Sequence, residues 1–183
     1  LDDFSYKTEL SGHHAIFSAW ILDYFQTMDI TISDIGCGNG RVINFLDMKK
    51  IKKYYGYDLN NHCLLKAEKI YKSLNNVEFI HLDIDESNLV NKTDVVYIDS
   101  TLTMVENPYE ILYKLLNISN CLFLNRTPLD KREEKLNHRW SGMEEDSTNW
   151  KFSKKNMKKF AKKNKLELIL VSSNSFALVK VDK

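Results

Sequence analysis

The sequence is poor in cysteine, proline and glycine, and it contains no long apolar run. Its 183 residues include three cysteines, two prolines and six glycines. Three cysteines (Cys37, Cys63 and Cys121) without metal-ligand spacing argue against a disulfide framework and a zinc site, and favour a reducing compartment. No apolar segment approaches the roughly 20 residues of a membrane-spanning helix, and no signal peptide opens the chain. We therefore expect a cytoplasmic protein without a transmembrane segment or a bound metal.

Excess charge of one sign is also absent. The formal net charge is +1, so the chain lacks the basic field of a dedicated nucleic-acid binder, and no nucleic-acid partner is expected. The lysine-rich run 154–165 predicts a helix with its lysines on an outer face and Met157, Phe160 and Ala161 turned inward. A solvated face is the main interpretation of these lysines. Peripheral contact with an anionic partner, such as a membrane surface, is the alternative.

Strand-length apolar runs alternate with helical patterns along the chain. This alternation predicts an α/β sheet of parallel strands joined by right-handed crossovers and covered by helices on both faces. The last two runs have hairpin spacing, so the final strand should run antiparallel to the others. We expect an N-terminal helical segment at 1–29 and an α/β domain at 30–183 within a single domain. The predicted strands are 30–35, 53–58, 77–83, 94–99, 121–126, 166–173 and 175–181.

Two further segments carry structural predictions. Segment 11–26 has helical spacing and predicts a helix that covers the sheet with Ile16, Trp20, Leu22 and Phe25. Segment 126–150 has no sustained periodicity, which indicates a long loop, with one helical turn possible at 131–136. Loops of this length inside a compact domain are usually functional or disordered.

A glycine-rich motif follows the first predicted strand. The stretch TISDIGCGNG places Asp34, Gly36, Gly38 and Gly40 in a D-x-G-x-G-x-G pattern, directly before a predicted helix at 41–46. Glycines permit positive φ angles and the close approach of a ligand to the backbone. A dinucleotide fingerprint would read G-x-G-x-x-G, and an acid before the first glycine repels phosphate. The motif therefore favours a ligand with positive charge and without phosphates.

Acidic residues also end the next three predicted strands. Asp58 suits the two hydroxyls of a ribose, and Asp83 with Ile84 suits an adenine, whose amine the acid accepts while the isoleucine packs on the ring. Asp99 and Ser100 end the fourth strand. In open α/β sheets ligands lie beyond the carboxyl ends of the strands, so these residues should surround one ligand.

These features together resemble class I S-adenosylmethionine-dependent methyltransferases over residues 30–182. The resemblance implies S-adenosylmethionine as cofactor and a Rossmann-like seven-stranded, mostly parallel sheet of order 3-2-1-4-5-7-6 with strand 7 antiparallel. It implies that the glycines line the methionine part, that Asp58 binds the ribose, that Asp83 and Ile84 bind the adenine, and that Asp34 lies near the amino group. The complete set of expected cofactor-binding residues is Asp34, Gly36, Cys37, Gly38, Gly40, Asp58, Leu59, Asp83, Ile84, Asp99 and Ser100.

A narrower resemblance concerns segments 93–116, 122–130 and 147–169. They are similar to a methyltransferase family encoded in bacterial surface-polysaccharide clusters, which implies a sugar, phosphate-bearing or glycan-precursor acceptor in capsule or lipopolysaccharide synthesis. Methylation of amino groups commonly uses N/D-P-P-Y after strand four, where this chain has Asp99-Ser100-Thr101-Leu102. An oxygen acceptor is therefore expected.

An oxygen acceptor requires a base, and the histidines are the first candidates. His138 ranks first, with His14 and Asp99 as further catalytic candidates. Arg126 could hold a phosphate or carboxylate of the acceptor, although an ion pair with Asp130 or Glu133 explains it equally well. Tyr6 and Trp140 complete the predicted acceptor site. A nicotinamide-dependent oxidoreductase and a non-catalytic S-adenosylmethionine-binding protein stay open as alternative functions, and the oligomeric state stays open as well.

Overall fold

A computed structural model describes residues 3–26, 29–87, 89–138 and 147–181. The helices are α1 (Asp3–Phe25), α2 (Asn61–Tyr71), α3 (Pro108–Leu116) and α4 (Lys154–Lys163). The strands are β1 (Ile30–Ile35), β2 (Ile51–Asp58), β3 (Val77–His81), β4 (Val95–Asp99), β5 (Cys121–Asn125), β6 (Leu129–Asp130), β7 (Glu134–His138), β8 (Ser147–Ser153), β9 (Leu166–Leu170) and β10 (Phe176–Lys180).

Seven strands form the main sheet in the order β3-β2-β1-β4-β5-β10-β9. The first five are parallel, and β10 pairs antiparallel with both β5 and β9. When β9 and β10 are counted as the sixth and seventh strands of this sheet, the order is 3-2-1-4-5-7-6 with the seventh strand antiparallel. The predicted fold class and topology are confirmed.

The sheet is buried on both faces because its central strands carry almost uninterrupted apolar residues. In β4, Val96 and Ile98 join a core beneath α3 and α4, whereas Val95 and Tyr97 join a second core beneath α1. This split follows from the two-residue period of a strand. Because the first five strands are parallel, their carboxyl ends lie at the same edge of this sheet, which is covered on both faces.

Helix α1 covers the sheet as predicted, although its most buried residues are not the predicted ones. Among the side chains described in this helix, residues 12–25, the buried ones are His14, Phe17 and Ile21. The four predicted residues are partly buried and pack against the same core. Phe17 stacks on Tyr97 with ring centroids 4.2 Å apart. The predicted helix and its packing on the sheet are confirmed. The sequence did not indicate that His14 is buried in this helix, because hydrophobicity alone does not select a histidine for burial.

Segment 126–150 forms strands where a loop with a helical turn was predicted. In the described part, β6, β8 and β7 form a second, three-stranded sheet, and β7 occupies the place of the expected helical turn. Tertiary contacts explain the difference. The Trp150 indole donates to the carbonyl of Val105 at 3.0 Å, and the Tyr109 hydroxyl donates to Glu133 at 2.6 Å. These contacts override the weak local preference of the segment.

The prediction for α4 is confirmed. Met157, Phe160 and Ala161 are buried, and the lysines at 154, 155, 158, 159, 162 and 163 are exposed. The Ser153 hydroxyl caps the helix by accepting the backbone N–H of Asn156 at 3.1 Å. Within the described residues, no helix has the length and apolar character needed to cross a membrane.

Candidate functional site

The glycine-rich turn lies at the carboxyl end of β1, at the centre of the sheet. The backbone N–H groups of Gly36 and Cys37 both donate to the carbonyl of Tyr57 in the neighbouring strand, at 2.8 and 3.0 Å. Gly36, Gly38 and Gly40 all have positive φ angles, of 74°, 55° and 75°. The helix that follows is a short 3-10 helix, Arg41–Phe45. The turn is therefore fixed by backbone bonds to β2.

The space for a side chain differs among the three glycines of the turn. A Cβ at Gly36 would lie 1.9 Å from the Thr101 hydroxyl oxygen, and one at Gly40 would lie 2.9 Å from the Tyr71 ring. A Cβ at Gly38 would meet no described atom within 4 Å. Gly36 and Gly40 are therefore required by packing, whereas Gly38 faces open space. From the sequence, all three glycines were expected to line the site of the methionine part of the cofactor. The sequence did not indicate that two of them are needed for packing.

Two cavities meet at Gly36. One, the apolar cavity, has a volume of about 270 Å³ and is lined by Ile35, Gly36, Tyr57, Asp58, Leu59, Leu82, Asp83, Ile84, Asp85, Thr101, Met104 and Val105. The other, the polar cavity, has a volume of about 290 Å³ and is lined by His14, Asp34, Gly36, Cys37, Gly38, Asn39, Arg41, Val42, Cys63, Tyr97, Asp99 and Arg126. Nine of the eleven expected cofactor residues therefore line one or both of the two cavities, while Gly40 and Ser100 line neither.

Asp58 ends β2 and joins the glycine turn to the apolar cavity. One carboxylate oxygen accepts the N–H of Gly38 at 2.7 Å, and the other accepts the N–H of Asn60 at 2.7 Å. The side chain is half-buried, and each oxygen has a second lone pair. The carboxylate can therefore hold the turn and accept hydroxyl groups of a ligand at the same time. Nothing in the sequence indicated that Asp58 accepts a hydrogen bond from Gly38.

Asp83 and Ile84 lie in a turn two residues beyond the end of β3. The Asp83 carboxylate accepts the N–H of Asp85 at 2.9 Å, and Ile84 is buried in the cavity wall. The Lys114 ammonium donates to the carbonyls of Ile84 and Asp85 at 3.3 and 2.8 Å, which secures the turn from α3. Leu59 lines the same cavity and is 61% exposed, so it presents an apolar side chain to a ligand.

Asp34 is buried in the wall of the polar cavity. Burial raises its pKa to about 8, although the Tyr54 hydroxyl donates to the carboxylate at 2.5 Å and opposes the shift. The nearby Asp99 and Asp58 carboxylates raise the pKa further. Asp34 is therefore mostly protonated at neutral pH unless a cation enters the cavity. A buried acid in this state suits the ammonium group of a ligand.

Asp99 and Arg126, both predicted for the site, bind each other. The Arg126 guanidinium donates to the two Asp99 oxygens from Nε at 2.6 Å and from Nη2 at 2.8 Å. Asp99 is a partner of Arg126 that the sequence analysis did not name. Arg126 adopts a positive φ of 45° directly after β5, and Ser100 adopts one of 62° directly after β4. These strained positions bring the two side chains together at the rim of the polar cavity.

His14 reaches the polar cavity from α1. Its Nδ1 atom lies 2.9 Å from the Tyr97 hydroxyl and 3.8 Å from an Asp99 oxygen. The second distance is too long for a hydrogen bond. Burial lowers the pKa of His14, and the Asp99 charge only partly opposes this shift. The imidazole is therefore neutral at pH 7, and the contact with Asp99 is not an ion pair.

Three predicted acceptor-site residues remain predictions. Tyr6 lies within α1 and His138 ends β7, but the structure describes only their backbone. Trp140 lies outside the described residues. The leading base candidate is thus placed along the chain, while its side chain is not placed relative to the cavity.

Sequence reasoning missed several residues of the polar cavity. Tyr97 lies in the apolar strand VVYID and reads as an ordinary core residue, yet its hydroxyl contacts His14 and Asn125. Arg41 follows the last glycine, and Cys63 opens α2. Only Arg41, adjacent to the motif, offered a signal in the sequence. Among the described residues, no group of three or more histidine, cysteine or acidic side chains is arranged to hold a metal ion.

Comparison with known proteins identifies the family. Residues 26–175 match the family model described as a methyltransferase domain, so the chain belongs to the methyltransferase domain family. A curated relative, protein 235L of Invertebrate iridescent virus 6, is named as a methyltransferase. It is 29% identical over 89 residues, which are 48% of this chain and 32% of the relative. The chain therefore spans about a third of the length of that relative.

Solved structures share the fold. Magnesium protoporphyrin IX methyltransferase from Synechocystis PCC 6803 with bound S-adenosylmethionine has a TM-score of 0.70 at 18% identity, covering 99% of this chain and 86% of that one. The N-terminal domain of EvdMO1, crystallised in the presence of S-adenosylhomocysteine and D-fucose, has a TM-score of 0.68 at 15% identity, covering 91% of this chain and 81% of that one. At these identities the two structures show that this chain shares their fold.

Proposed function

We propose that this protein is an S-adenosylmethionine-dependent methyltransferase that methylates an oxygen atom. The observation that carries this proposal is the pair of cavities that meet at Gly36, one lined mostly by apolar side chains and the other rich in charged and polar side chains. A nucleoside sulfonium has the same division, with a flat base and ribose at one end and a charged amino acid at the other. The family match supports the same assignment.

The residues of the apolar cavity fit an adenosine. Ile84, Leu59 and Met104 offer apolar surface to the base, and Asp83 offers a carboxylate to its exocyclic amine. Asp58 lies between the turn and the cavity, where it accepts the two ribose hydroxyls. A carboxylate that accepts two hydroxyl groups is the usual means of ribose recognition in open α/β sheets.

The residues of the polar cavity fit the amino-acid part of the cofactor. Gly38 offers open space against its backbone, and Asp34 is a buried acid that becomes ionised when an ammonium group lies beside it. Bound in this position, S-adenosylmethionine supplies an electrophilic methyl group to the acceptor oxygen and leaves as S-adenosylhomocysteine. The protein aligns the acceptor and excludes water, and most of the rate enhancement of such a displacement comes from this alignment.

We assign the acceptor to a sugar, a phosphate-bearing molecule or a glycan precursor of surface-polysaccharide synthesis. The chain lacks N/D-P-P-Y after β4, which disfavours an amine acceptor, and the polar cavity contains two arginines, Arg41 and Arg126. For a hydroxyl acceptor, His138 is the proposed base. The segment similarity to the surface-polysaccharide family supports this context.

Binding and transfer should be measured separately. A thermal shift with S-adenosylhomocysteine and none with NAD supports the cofactor assignment, and the reverse result overturns it in favour of an oxidoreductase. Transfer of labelled methyl from S-adenosylmethionine into sugar nucleotides or capsule precursors then tests the acceptor class. Cofactor binding with no transfer to any acceptor fraction would identify a non-catalytic binding protein. Asp47→Ala is a suitable control because Asp47 is exposed and lines neither cavity.

A further inference from the structure

A chain of buried side-chain contacts connects β10 to the polar cavity. The Ser175 hydroxyl lies 2.6 Å from Asn125 Oδ1, and Asn125 Nδ2 lies 2.9 Å from the Tyr97 hydroxyl oxygen. That oxygen lies 2.9 Å from Nδ1 of His14. Ser175, Asn125, Tyr97 and His14 are all buried, so the direction of each hydrogen bond has an energetic consequence.

The backbone carbonyl of His13 fixes the orientation of the Asn125 amide. This carbonyl lies 3.3 Å from Asn125 Nδ2, and a carbonyl can only accept. The amide nitrogen must therefore face His13 and Tyr97, and the amide oxygen must face Ser175. It follows that the Ser175 hydroxyl donates to Asn125 and that Asn125 donates to the oxygen of Tyr97.

The proton of the Tyr97 hydroxyl is then directed to His14. Burial raises the pKa of Tyr97 far above its ordinary value, so the phenol is protonated at every physiological pH. Its oxygen already accepts from Asn125, and its second close partner is Nδ1 of His14. If Nδ1 carried a proton instead, the phenol hydrogen would have no acceptor within the hydrogen-bonded chain described here. An unpaired buried donor is disfavoured.

We propose that Ser175, Asn125 and Tyr97 are positioning residues that hold His14 in the tautomer protonated at Nε2, so that His14 donates a hydrogen bond into the polar cavity. Within the described part of the chain, every side-chain nitrogen or oxygen sealed from solvent has a partner. Nε2 has no hydrogen-bond partner among the described residues, so it is open to the cavity that His14 lines. His14 is consequently a donor and cannot act as the base that the sequence suggested.

The role of His14 in ligand binding rests on the proposed function, whereas its tautomer does not. A fixed N–H donor beside Arg41 recognises an oxygen with free lone pairs, such as a carboxylate, a phosphate or a sugar oxygen. The donor thereby contributes to holding the ligand in the polar cavity while the proton of a hydroxyl acceptor is removed by another group. The tautomer itself can be measured on the protein without any reaction.

Long-range proton–nitrogen NMR of the 15N-labelled protein reports the tautomer of each histidine. The His14 signals are assigned by their absence in His14→Gln. We expect wild-type His14 to be neutral at pH 7 with the proton on Nε2, and Tyr97→Phe to populate the Nδ1-protonated tautomer. Tyr109→Phe is the matched control, because the Tyr109 hydroxyl donates to Glu133 and its ring packs against the core beneath α3 and α4, so it should leave the His14 signals unchanged.

A wild-type His14 protonated at Nδ1 would overturn the proposal, as would unchanged His14 signals in Tyr97→Phe. The wild-type measurement stands even if a variant fails to fold.

Methyl transfer by two variants of His14 gives a second test of the donor role. Gln at position 14 retains an N–H donor without a basic nitrogen, so His14→Gln should keep at least about a third of the wild-type methyl transfer, whereas His14→Phe should lose more than tenfold. Equal loss in both variants contradicts the donor role. Failure of the proposed function would leave the NMR result intact.

Discussion

Arg126 binds Asp99 through two hydrogen bonds across neighbouring strand ends. Asp99 is the last residue of β4, and Arg126 follows β5 directly with a positive φ of 45°. The Asp99 side chain is only 8% exposed, whereas that of Arg126 is 33% exposed. Removing the guanidinium would therefore leave a nearly buried carboxylate without its principal partner.

Arg126→Ala should lower the free energy of unfolding by about 1.5–3 kcal/mol, the typical value of hydrogen bonds to a charged group. Urea denaturation measures this change. The exposed Arg132 is the matched control, and Arg132→Ala should alter stability by less than about 0.5 kcal/mol. Equal stability of Arg126→Ala and the wild type would show that the pair contributes nothing to the fold.

Asp58→Ala should weaken the binding of S-adenosylhomocysteine by more than tenfold. The substitution removes the proposed ribose acceptor and the oxygen that holds the Gly38 N–H. Titration calorimetry gives the affinity directly. Asp47→Ala, at an exposed site with a similar backbone contact to Lys49, should bind like the wild type. Unchanged affinity in Asp58→Ala would remove Asp58 from the ribose site.

Gly36→Ala and Gly38→Ala should differ in their effects on stability and on cofactor binding. Gly36→Ala must displace Thr101 and should reduce stability strongly, whereas Gly38→Ala has free space and should fold with a smaller loss caused by its positive φ. Because the added methyl enters the polar cavity, Gly38→Ala should weaken cofactor binding more than its stability loss explains. Thermal melts with and without S-adenosylhomocysteine separate the two effects. A destabilised Gly38→Ala with normal affinity would contradict this division.

Binding of S-adenosylhomocysteine should release close to one proton at pH 7. Asp34 has a pKa of about 8 in the free protein, so it is mostly protonated there, and the ligand ammonium should ionise it. Calorimetry in buffers of different ionisation enthalpy measures the proton count, and Asp34→Asn should reduce the count towards zero.

The same group gives a pH dependence of stability. Because the folded-state pKa of Asp34 is raised above the unfolded value of about 4, the folded state binds more protons between the two values. The contribution of Asp34 to stability is complete below about pH 4 and declines as the pH rises towards 8. Asp34→Asn should flatten this part of the stability profile, and an unaltered profile would show that the carboxyl is already ionised in the folded protein.

His138→Ala should lower turnover while cofactor affinity stays near the wild-type value, because the proposed base acts on the acceptor only. Methyl-transfer kinetics and calorimetry together test this. His62, exposed at the start of α2, is the control, and His62→Ala should have normal turnover. A normal rate in His138→Ala would end its candidacy as the base.

The fold could be predicted from the sequence because its signals are local and repeated. Apolar runs, helical periods and the final hairpin spacing each depend on a few adjacent residues, and together they predict a parallel sheet with an antiparallel last strand. The strand order was implied by the resemblance to class I methyltransferases and not by these patterns. The second sheet could not be predicted in this way, since Trp150 and Glu133 owe their positions to partners in distant segments. Long-range contacts of this kind leave no periodicity in the sequence.

The part of the candidate site that is built from residues at the strand ends could be predicted from the sequence. Asp34, Asp58 and Asp83 follow directly from the rule that ligands lie beyond the carboxyl ends of the strands. The chemical state of the site was not predictable. The partner of Arg126 and the raised pKa of Asp34 depend on burial and on distances between strands, which only a three-dimensional arrangement defines.

The close approach of Gly36 to Thr101 links two positions that are 65 residues apart in the numbering of the chain. Neither position is free to change alone, since any side chain at 36 would have to occupy the volume that the threonine now fills. Relatives with a bulkier residue at position 36 should carry a smaller one at position 101, so the two positions should covary within the family.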